Sequence, residues 1–447
     1  MFVIAVSLSV YDLMLFFCYQ CSAYCHLQAN TTGSLNTASG FYSLFTNTTG
    51  SYNTASGSNS LRNNTTGSNN TASGFYSLGS NSTGSNNTAS GYASLITNTT
   101  GNYNSASGDS SLYSNTIGNN NTASGHSSLF TNSTGSDNTA SGSSSLYKNT
   151  TGYNNTALGY YSLYINTIGY FNTASGSYSL FKNTSGYDNT ASGYSSLQTN
   201  TTGYNNTASG SYSLYSNSTG NYNTASGFYS LYNSTGNNNT AMGYLAGSSI
   251  TSGEKLTCIG YDAQPTSATA TNQITLGNSS VTSLRCAVTT ITALSDARDK
   301  KNIMDLNLGI EFLMQVKPRL FNWDKREWYE KGISDGSKMY KTPTAGFIAQ
   351  ELDEVQTTAN SEWLKLVLKD NPKKLEATPG NLLPIMVKAI QELNKQKNEE
   401  IASLKKENTL LLQRLESFEE VQKMIAVELQ KLRNEKSYSV ITINKSE

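Results

Sequence analysis

A tandem repeat with a fixed period of 17 residues constrains this chain more than any other feature. Its consensus, N-T-A-S-G-x-x-S-L-x-x-N-T-T-G-x-x, keeps two glycines and one leucine in each copy. A fixed period with glycine at fixed offsets is typical of a solenoid with one coil per repeat. The runs N-T-A-S and x-S-L-x have the length and composition of strands. Copies begin at Asn36, Asn53, Asn70, Asn87, Asn104, Asn121, Asn138, Asn155, Asn172, Asn189, Asn206 and Asn223, and a shortened copy begins at Asn239.

The glycines and the leucine of each copy predict how a coil is built. Glycines such as Gly40 and Gly50 supply corners with positive φ, which other residues adopt poorly. Each coil offers one alanine, one leucine such as Leu44 and often one aromatic such as Phe45 for burial. Burial of so few apolar side chains contributes little free energy compared with the ordering cost of about 1.5 kcal/mol per residue. We therefore expect several chains to associate, with the leucine column facing a shared axis.

The polar and aromatic positions of the repeat allow more than one interpretation. Asn-x-Thr sites such as Asn47 and Asn98 fit N-glycosylation. The preferred alternative is that asparagine occupies corners because it tolerates left-handed backbone. The tyrosine-rich variable positions fit either stacking on sugar rings or the plain outer face of a rod. The fixed period and the regular leucine argue against low-complexity disorder.

Charge divides the chain and excludes several kinds of function. The formal net charge is zero, but only seven charged residues precede Glu254. The repeats therefore lack the basic surface that nucleic-acid binding requires. The two histidines, His26 and His126, are too few for a histidine-based metal site and unsuited to a catalytic triad. We predict no metal, no cofactor and no nucleic-acid partner.

The hydrophobic leader, residues 1–29, is interrupted by Asp12 and has no basic start. It fits a signal-like segment, a buried attachment segment or a non-native extension, and it is the part from which we would expect any membrane contact. Cys18-x-x-Cys21 has no second pair at zinc-site spacing, so it predicts no zinc site. Cys258 and Cys286 read as buried apolar residues rather than as a disulfide.

The repeat pattern loosens after Tyr261. Residues 272–278 alternate polar and apolar side chains, as a half-buried strand does. Residues 281–291 are β-branched and carry few charges. Together they predict a short β-neck between the repeats and the charged C-terminal part.

At the boundary between the uncharged and the charged parts, the run Leu294 to Asn302 reads L-S-D-A-R-D-K-K-N. A serine nucleophile needs a base, and a desolvated lysine is the natural one where histidine is lacking. Ser295 and Lys300 are the candidates, with Lys301 as an alternative base. Residues five apart on one helix differ in direction by about 140°, so Ser295 is expected in a turn or at a helix start. Asp296 fits a cap that also orients Lys300; a plain helix cap is the competing interpretation.

The run S-D-A-R-D-K-K-N-I is followed, in order, by V-K-P, F-N-W, G-F-I-A-Q-E and L-P through A-I-Q-E-L. Together these motifs resemble the peptidase S74 family, the C-terminal intramolecular chaperone domains of phage endosialidases and tail fibres. The repeats are similar to heads of trimeric autotransporter adhesins and to repeats of tail-fibre-like proteins. The family resemblance implies cleavage between Leu294 and Ser295, with Ser295 as nucleophile and Lys300 as base, in cis or in trans. Gln350 and Glu351 lie in a family core motif and could support the site.

A heptad pattern of apolar residues begins at Val387 and ends at Leu432. About seven heptads with charged flanks predict a coiled coil. The alternative is a long helix folded back on its own domain. A coiled coil would hold the copies together while the repeats find their register, which a repeat array can otherwise miss by one coil.

These patterns predict a trimeric β-roll or solenoid, a small α+β chaperone domain and a C-terminal coiled-coil helix. The predicted function is a homotrimeric fibre or adhesin-like protein with a self-cleaving serine endopeptidase domain that acts once. An uncleaved structural or adhesive trimer is the alternative. We expect a virion tail fibre or extracellular location, with a membrane-anchored surface protein as the alternative, and a host-surface glycan or receptor as ligand of the rod. The predicted segments are a leader (1–29), repeats (30–250), neck (251–294), chaperone and autoprotease domain (295–385), coiled coil (386–436) and tail (437–447).

Overall fold

The computed structural model describes residues 27–281, 283–285 and 295–443, with side chains as far as residue 436. The chain divides into two compact units, Met1–Val288 and Thr289–Glu447. The first unit contains a parallel β-solenoid, and the second contains short helices and strands followed by a long helix. The predicted solenoid and long C-terminal helix are confirmed.

The solenoid contributes one three-residue strand per coil to a single parallel sheet of 15 strands in sequence order. Equivalent residues pair between coils, as Thr37 with Thr54. The strands are β1 (Thr37–Ser39), β2 (Thr54–Ser56), β3 (Thr71–Ser73), β4 (Thr88–Ser90), β5 (Ser105–Ser107), β6 (Thr122–Ser124), β7 (Thr139–Ser141), β8 (Thr156–Leu158), β9 (Thr173–Ser175), β10 (Thr190–Ser192), β11 (Thr207–Ser209), β12 (Thr224–Ser226), β13 (Thr240–Met242), β14 (Thr257–Ile259) and β15 (Ile274–Leu276).

The solenoid core lies inside one chain. Ala55, in the middle of β2, and Leu61, six residues later, are both 0% exposed. The equivalent alanines and leucines of the other coils join them in one continuous cluster. The expectation that the leucine column faces an axis shared between chains is therefore wrong. Neighbouring coils of the same chain cover each leucine from above and below, so association is not needed to bury it.

The second strand predicted in each coil, x-S-L-x, is a turn instead. Leu61 has φ 49°, a left-handed conformation that leucine rarely adopts, and the same holds for its equivalents. Positive φ at glycine occurs in only one of the two glycine columns, that of Gly40 (φ 127°). At Gly50 the reason for glycine is close approach, because a Cβ there would lie 2.3 Å from the carbonyl oxygen of Gly67.

Two asparagine columns run through the interior of the solenoid. Asn64 is 0% exposed, and its Nδ2 donates to Asn47 Oδ1 at 2.7 Å and to the carbonyl of Gly67 at 2.9 Å. The second column reaches the same carbonyl, because Asn53 Nδ2 donates to Gly67 O at 2.9 Å. The column of Asn47 and Asn98 is thus buried and hydrogen-bonded, and it occupies neither glycan-bearing positions nor left-handed corners. Both interpretations are wrong for these two residues, but asparagines elsewhere in the repeat do occupy left-handed corners, as Asn69 with φ 58° does.

The sheet extends into the segment that sequence analysis assigned to the neck. Strands β14 and β15 pair in register with β13 and with each other. Cys258, in the middle of β14, is buried in place of the usual alanine, and burial raises the pKa of its thiol to about 11. No strand is assigned to residues 281 and 283–285. Cys286 and the rest of the predicted neck lie outside the described residues.

The second unit begins with short elements around a small core. Helix α1 (Ile310–Leu313) and helix α2 (Ala349–Thr358) accompany two antiparallel pairs. These pairs are β16 (Arg319–Phe321) with β17 (Thr344–Gly346), and β18 (Val367–Leu368) with β19 (Glu376–Ala377). Four 3-10 turns complete the unit, at Ala297–Asp299, Arg326–Trp328, Glu362–Leu364 and Pro379–Leu382. The core consists of Phe312, Val316, Leu352, Val355, Leu366, Val367, Leu382 and Ile385.

Helix α3 (Leu383–Ile443) is 61 residues long and begins inside this core. Ile385 is buried, whereas every described side chain from Leu393 to Lys436 is exposed. The helix therefore does not fold back on its own domain over that stretch, and its heptad residues lie bare in the single chain. Within the described residues, no helix is both long and apolar enough to cross a membrane.

Candidate active site

Ser295 and Lys300 lie on either side of one short turn, the 3-10 helix Ala297–Asp299. Asp296 has extended backbone and precedes the turn as its N-cap, and Lys300 follows it as the C-cap. Around this turn, two residues that a straight helix would point in different directions come together. This placement is the one that the spacing of the two residues required.

The turn brings the serine hydroxyl and the lysine amine into contact. Nζ of Lys300 donates a hydrogen bond to Oγ of Ser295 and another, at 3.3 Å, to the carbonyl oxygen of Ser295. Both residues are exposed in the single chain. A serine hydroxyl in contact with an amine is the arrangement from which a Ser-Lys dyad can act, once the amine is free to accept a proton.

Asp296 caps the turn but does not orient Lys300. Its carboxylate accepts the backbone N–H of Arg298 at 2.8 Å and forms an ion pair with the Arg298 guanidinium at 2.6 Å. These hydrogen bonds lower the pKa of Asp296, the side-chain bond with Arg298 contributing most. Asp296 thus caps the turn that joins Ser295 to Lys300.

The structure does not bring the other two supporting candidates, Gln350 and Glu351, into contact with Ser295 or Lys300. Glu351, in the first turn of α2, forms an ion pair with Arg319 of β16 at 2.5 Å, and the hydrogen bond from Arg319 is the main cause of its lowered pKa. Gln350 is exposed. Among the described residues, no hydrogen bond links either side chain to Ser295 or Lys300. Glu351 therefore holds β16 to α2 rather than the site.

The remaining candidates are the alternative base Lys301 and the cleavage-site residue Leu294. Lys301 is exposed, and in the described part of the chain no hydrogen bond joins it to Ser295. Leu294, whose carbonyl is the predicted point of attack, lies outside the described residues. Over the ranges that the structure covers, no group of histidine, cysteine, aspartate or glutamate could hold a metal ion.

Sequence reasoning missed the contacts that position this domain over long sequence separations. Arg319 pairs with Glu351 across 32 residues, and Glu392 accepts the backbone N–H of Ile310 across 82 residues. The buried Gln356 accepts the N–H of Leu366 at 3.0 Å. Nothing in the local pattern of these residues signals a partner so far along the chain.

Comparison with known proteins places the site within a family segment. No curated protein and no solved structure matches this chain at a significant level. A family match does exist, and it confirms the resemblance drawn from the motifs. The matching segment, residues 295–360, begins at Ser295 and follows the solenoid, and its family is peptidase S74, the chaperone of endosialidase.

Proposed function

We propose that this chain forms a homotrimeric fibre shaft whose C-terminal domain directs assembly and then cuts the chain between Leu294 and Ser295. A β-solenoid followed by a peptidase S74 chaperone segment is the arrangement of a tail-fibre-like protein with an intramolecular chaperone. The observation that carries the cleavage is the hydrogen bond between Lys300 Nζ and Ser295 Oγ, at the first residue of that segment.

The chemistry would proceed through an ester. Lys300, once neutral, accepts the proton of the Ser295 hydroxyl, and Oγ attacks the carbonyl carbon of Leu294. The carbon–nitrogen bond breaks, the new carbon–oxygen bond remains, and Lys300 returns the proton to the freed amine of Ser295. Water then hydrolyses the ester, which leaves a carboxylate on Leu294 and restores the hydroxyl. Each chain cuts itself once, so a single turnover suffices.

The exposure of the dyad supports a link between cutting and assembly. Desolvation is what favours the neutral form of a lysine. Lys300 is exposed in the single chain, so the covering has to come from elsewhere in the assembled protein. Cutting before the shaft is complete would separate the chaperone from its substrate too early. If Lys300 acts as a base only after assembly covers it, the chain is not cut before the shaft is complete.

Trimerisation is proposed from the long helix. Its described heptad side chains are about half exposed, as shown by Leu404 at 52%, Leu411 at 52% and Leu415 at 57%. A bare apolar stripe of this length is typical of a helix that packs against copies of itself. After cleavage the shaft would be kinetically trapped, because its assembly template has gone.

The decisive experiment compares the purified wild type with Ser295→Ala on a denaturing gel. The wild type should yield two fragments, the smaller beginning at Ser295 by N-terminal sequencing, and the variant should yield one band. Both should form the same oligomer before denaturation. A wild type that stays full-length as a native trimer would overturn the protease and favour the second candidate, an uncleaved structural or adhesive trimer. The half-exposed aromatic side chains of the solenoid would support ligand binding by such an uncleaved trimer as well.

We further propose a location on a virion tail or another extracellular surface, where a rod of this kind would contact a host glycan or receptor. A membrane-anchored surface protein is the alternative, with the leader of residues 1–29 as its anchor. Cell fractionation of the expressing host, or purification of particles, with antibodies against the solenoid would distinguish the two. Glycan arrays probed with the cleaved shaft test the ligand.

A further inference from the structure

Four tyrosines at one position of consecutive coils form a ladder of stacked rings, here called the tyrosine ladder: Tyr153, Tyr170, Tyr187 and Tyr204. Centroids of neighbouring rings are 5.1, 5.0 and 4.9 Å apart, with interplanar angles of 1°, 7° and 2°. The position 17 residues after Tyr204 is Asn221, and the neighbouring Tyr222 meets Tyr204 edge-on at 80°. The parallel stack therefore contains these four rings.

The stacking decides what these rings can do. Each inner ring has both faces covered by its neighbours, so it offers its edge and hydroxyl rather than a face on which a sugar could lie. Tyr153 is 40% exposed, and the other three are partly exposed. Desolvation, with the neighbouring tyrosines, raises the pKa of Tyr170 above its ordinary value. The Tyr170 phenol therefore keeps its proton near neutrality and loses it when it loses an electron.

We propose that the tyrosine ladder is a site of oxidative coupling, in which a peroxidase using hydrogen peroxide joins tyrosines of adjacent coils through ring carbons. Each of two phenols gives up one electron and its hydroxyl proton. The two phenoxyl radicals form one carbon–carbon bond between ortho carbons, and the ortho hydrogens return to the oxygens. The sum is two tyrosines and one hydrogen peroxide giving one dityrosine and two waters. Every product bond joins residues that are 17 apart.

The geometry favours coupling within the ladder over coupling elsewhere. A radical formed at the exposed Tyr153 has a tyrosine stacked on it, whereas an isolated surface tyrosine must meet a second molecule. The solenoid contains its own comparison in a second stacked series, Tyr113, Phe130, Tyr147, Tyr164 and Phe181. There phenylalanine interrupts the series, so only Tyr147 and Tyr164 can couple. This inference does not depend on whether the chain cuts itself.

The test treats the purified full chain with a haem peroxidase and hydrogen peroxide, then maps crosslinked peptides by mass spectrometry. The expected products join Tyr153 to Tyr170, Tyr170 to Tyr187 and Tyr187 to Tyr204, with dityrosine fluorescence. Protein assembled from a mixture of ¹⁴N- and ¹⁵N-labelled chains distinguishes coupling within a chain from coupling between chains. The proposal requires ladder crosslinks without mixed labels. Mixed-label products, or products centred on isolated tyrosines, would overturn it.

A matched variant, Tyr170→Phe with Tyr187→Phe, keeps the stacked rings and removes every adjacent tyrosine pair in the ladder. The fold tolerates phenylalanine in such a stack, as Phe130 and Phe181 show. All three crosslinks of the ladder should disappear, while the pair Tyr147–Tyr164 should couple as in the wild type. Unchanged dityrosine yield in the variant would contradict the ladder as the site.

Discussion

The carboxylate of Glu392, on the long helix α3, accepts the backbone N–H of Ile310 at 2.8 Å. It thereby holds the start of α1 against α3, beside Gly309. A Cβ at Gly309 would lie 2.0 Å from Glu392 Oε2, whereas a Cβ at Gly380 would meet nothing within 4 Å. The first turns of α3 are thus part of the chaperone domain as well as the beginning of the heptad stripe.

This contact predicts that Gly309→Ala destabilises the domain, because the added methyl displaces the Glu392 carboxylate. The expected loss is about 1–3 kcal/mol, because the backbone N–H of Ile310 loses its carboxylate acceptor. Urea unfolding followed by tryptophan fluorescence measures it cleanly, since all three tryptophans, Trp323, Trp328 and Trp363, belong to the second unit. Gly380→Ala is the matched control and should unfold like the wild type. Equal effects of the two substitutions would contradict the close approach.

The identity of the base can be tested at Lys300. Lys300→Arg keeps the positive charge and the donors but does not give up its proton near neutral pH. Cleavage should slow by about a hundredfold to ten-thousandfold, the usual contribution of a general base. Gel densitometry over time, on protein synthesised in a cell-free reaction, gives the rate. Lys301→Arg should cut normally; a loss of cutting in Lys301→Arg alone would assign the base to Lys301.

The repeat could be predicted in its period but not in its interior. Equivalence of residues at a spacing of 17 follows from the sequence, and so does the glycine corner at Gly40, because few residues tolerate φ near 127°. Whether Leu61 points into its own coil or toward another chain depends on a turn in which leucine is left-handed. Residue preferences argue against that conformation, and its regular burial between neighbouring coils explains why it is adopted.

The contacts of the candidate site could likewise be predicted only in part. The pairing of Ser295 with Lys300 could be anticipated because both residues belong to one turn, and a capping aspartate between them is a local signal. The partner of Glu351 could not, because Arg319 reaches it only after β16 and α2 pack together. Contacts between residues of one turn can be predicted from the sequence, whereas side-chain partners that tertiary packing brings together cannot.

The asparagine column predicts a sharp contrast between two adjacent residues. Asn64→Ala removes the side chain that bonds Asn47 Oδ1, Gly67 O and, at 2.8 Å, Asn81 Nδ2. Each buried polar group left without a partner costs about 1–3 kcal/mol. Asn63→Ala, one residue earlier and exposed, should change little. Hydrogen exchange should show faster opening of the coils around residue 64 in the first variant only.

If copies of the chain associate through the heptad residues of α3, a charge placed among them should prevent association. Leu411→Lys places a charge in the apolar stripe of α3, whereas Gln413→Lys places the same residue on its opposite face. Sedimentation velocity on chains that also carry Ser295→Ala should show loss of the trimer for Leu411→Lys and retention for Gln413→Lys. Trimers in both variants would show that copies associate through another surface.

The second unit should lose stability in acid, with a sign set by its lowered carboxyl pKa values. The hydrogen bond from Lys369, 2.6 Å away, is the largest cause lowering the pKa of Asp353, and the one from Arg319 does the same for Glu351. A carboxylate whose pKa is lower in the folded state stabilises it above the unfolded pKa of about 4. That contribution disappears as the pH falls through the folded value. Urea midpoints measured by tryptophan fluorescence should therefore decrease as the pH is lowered from about 6 to about 3, the range in which carboxyl groups take up protons. Asp353→Asn combined with Glu351→Gln should lower the midpoint at the upper pH and flatten this dependence, and an equally steep fall in the double variant would place the acid sensitivity at other carboxylates.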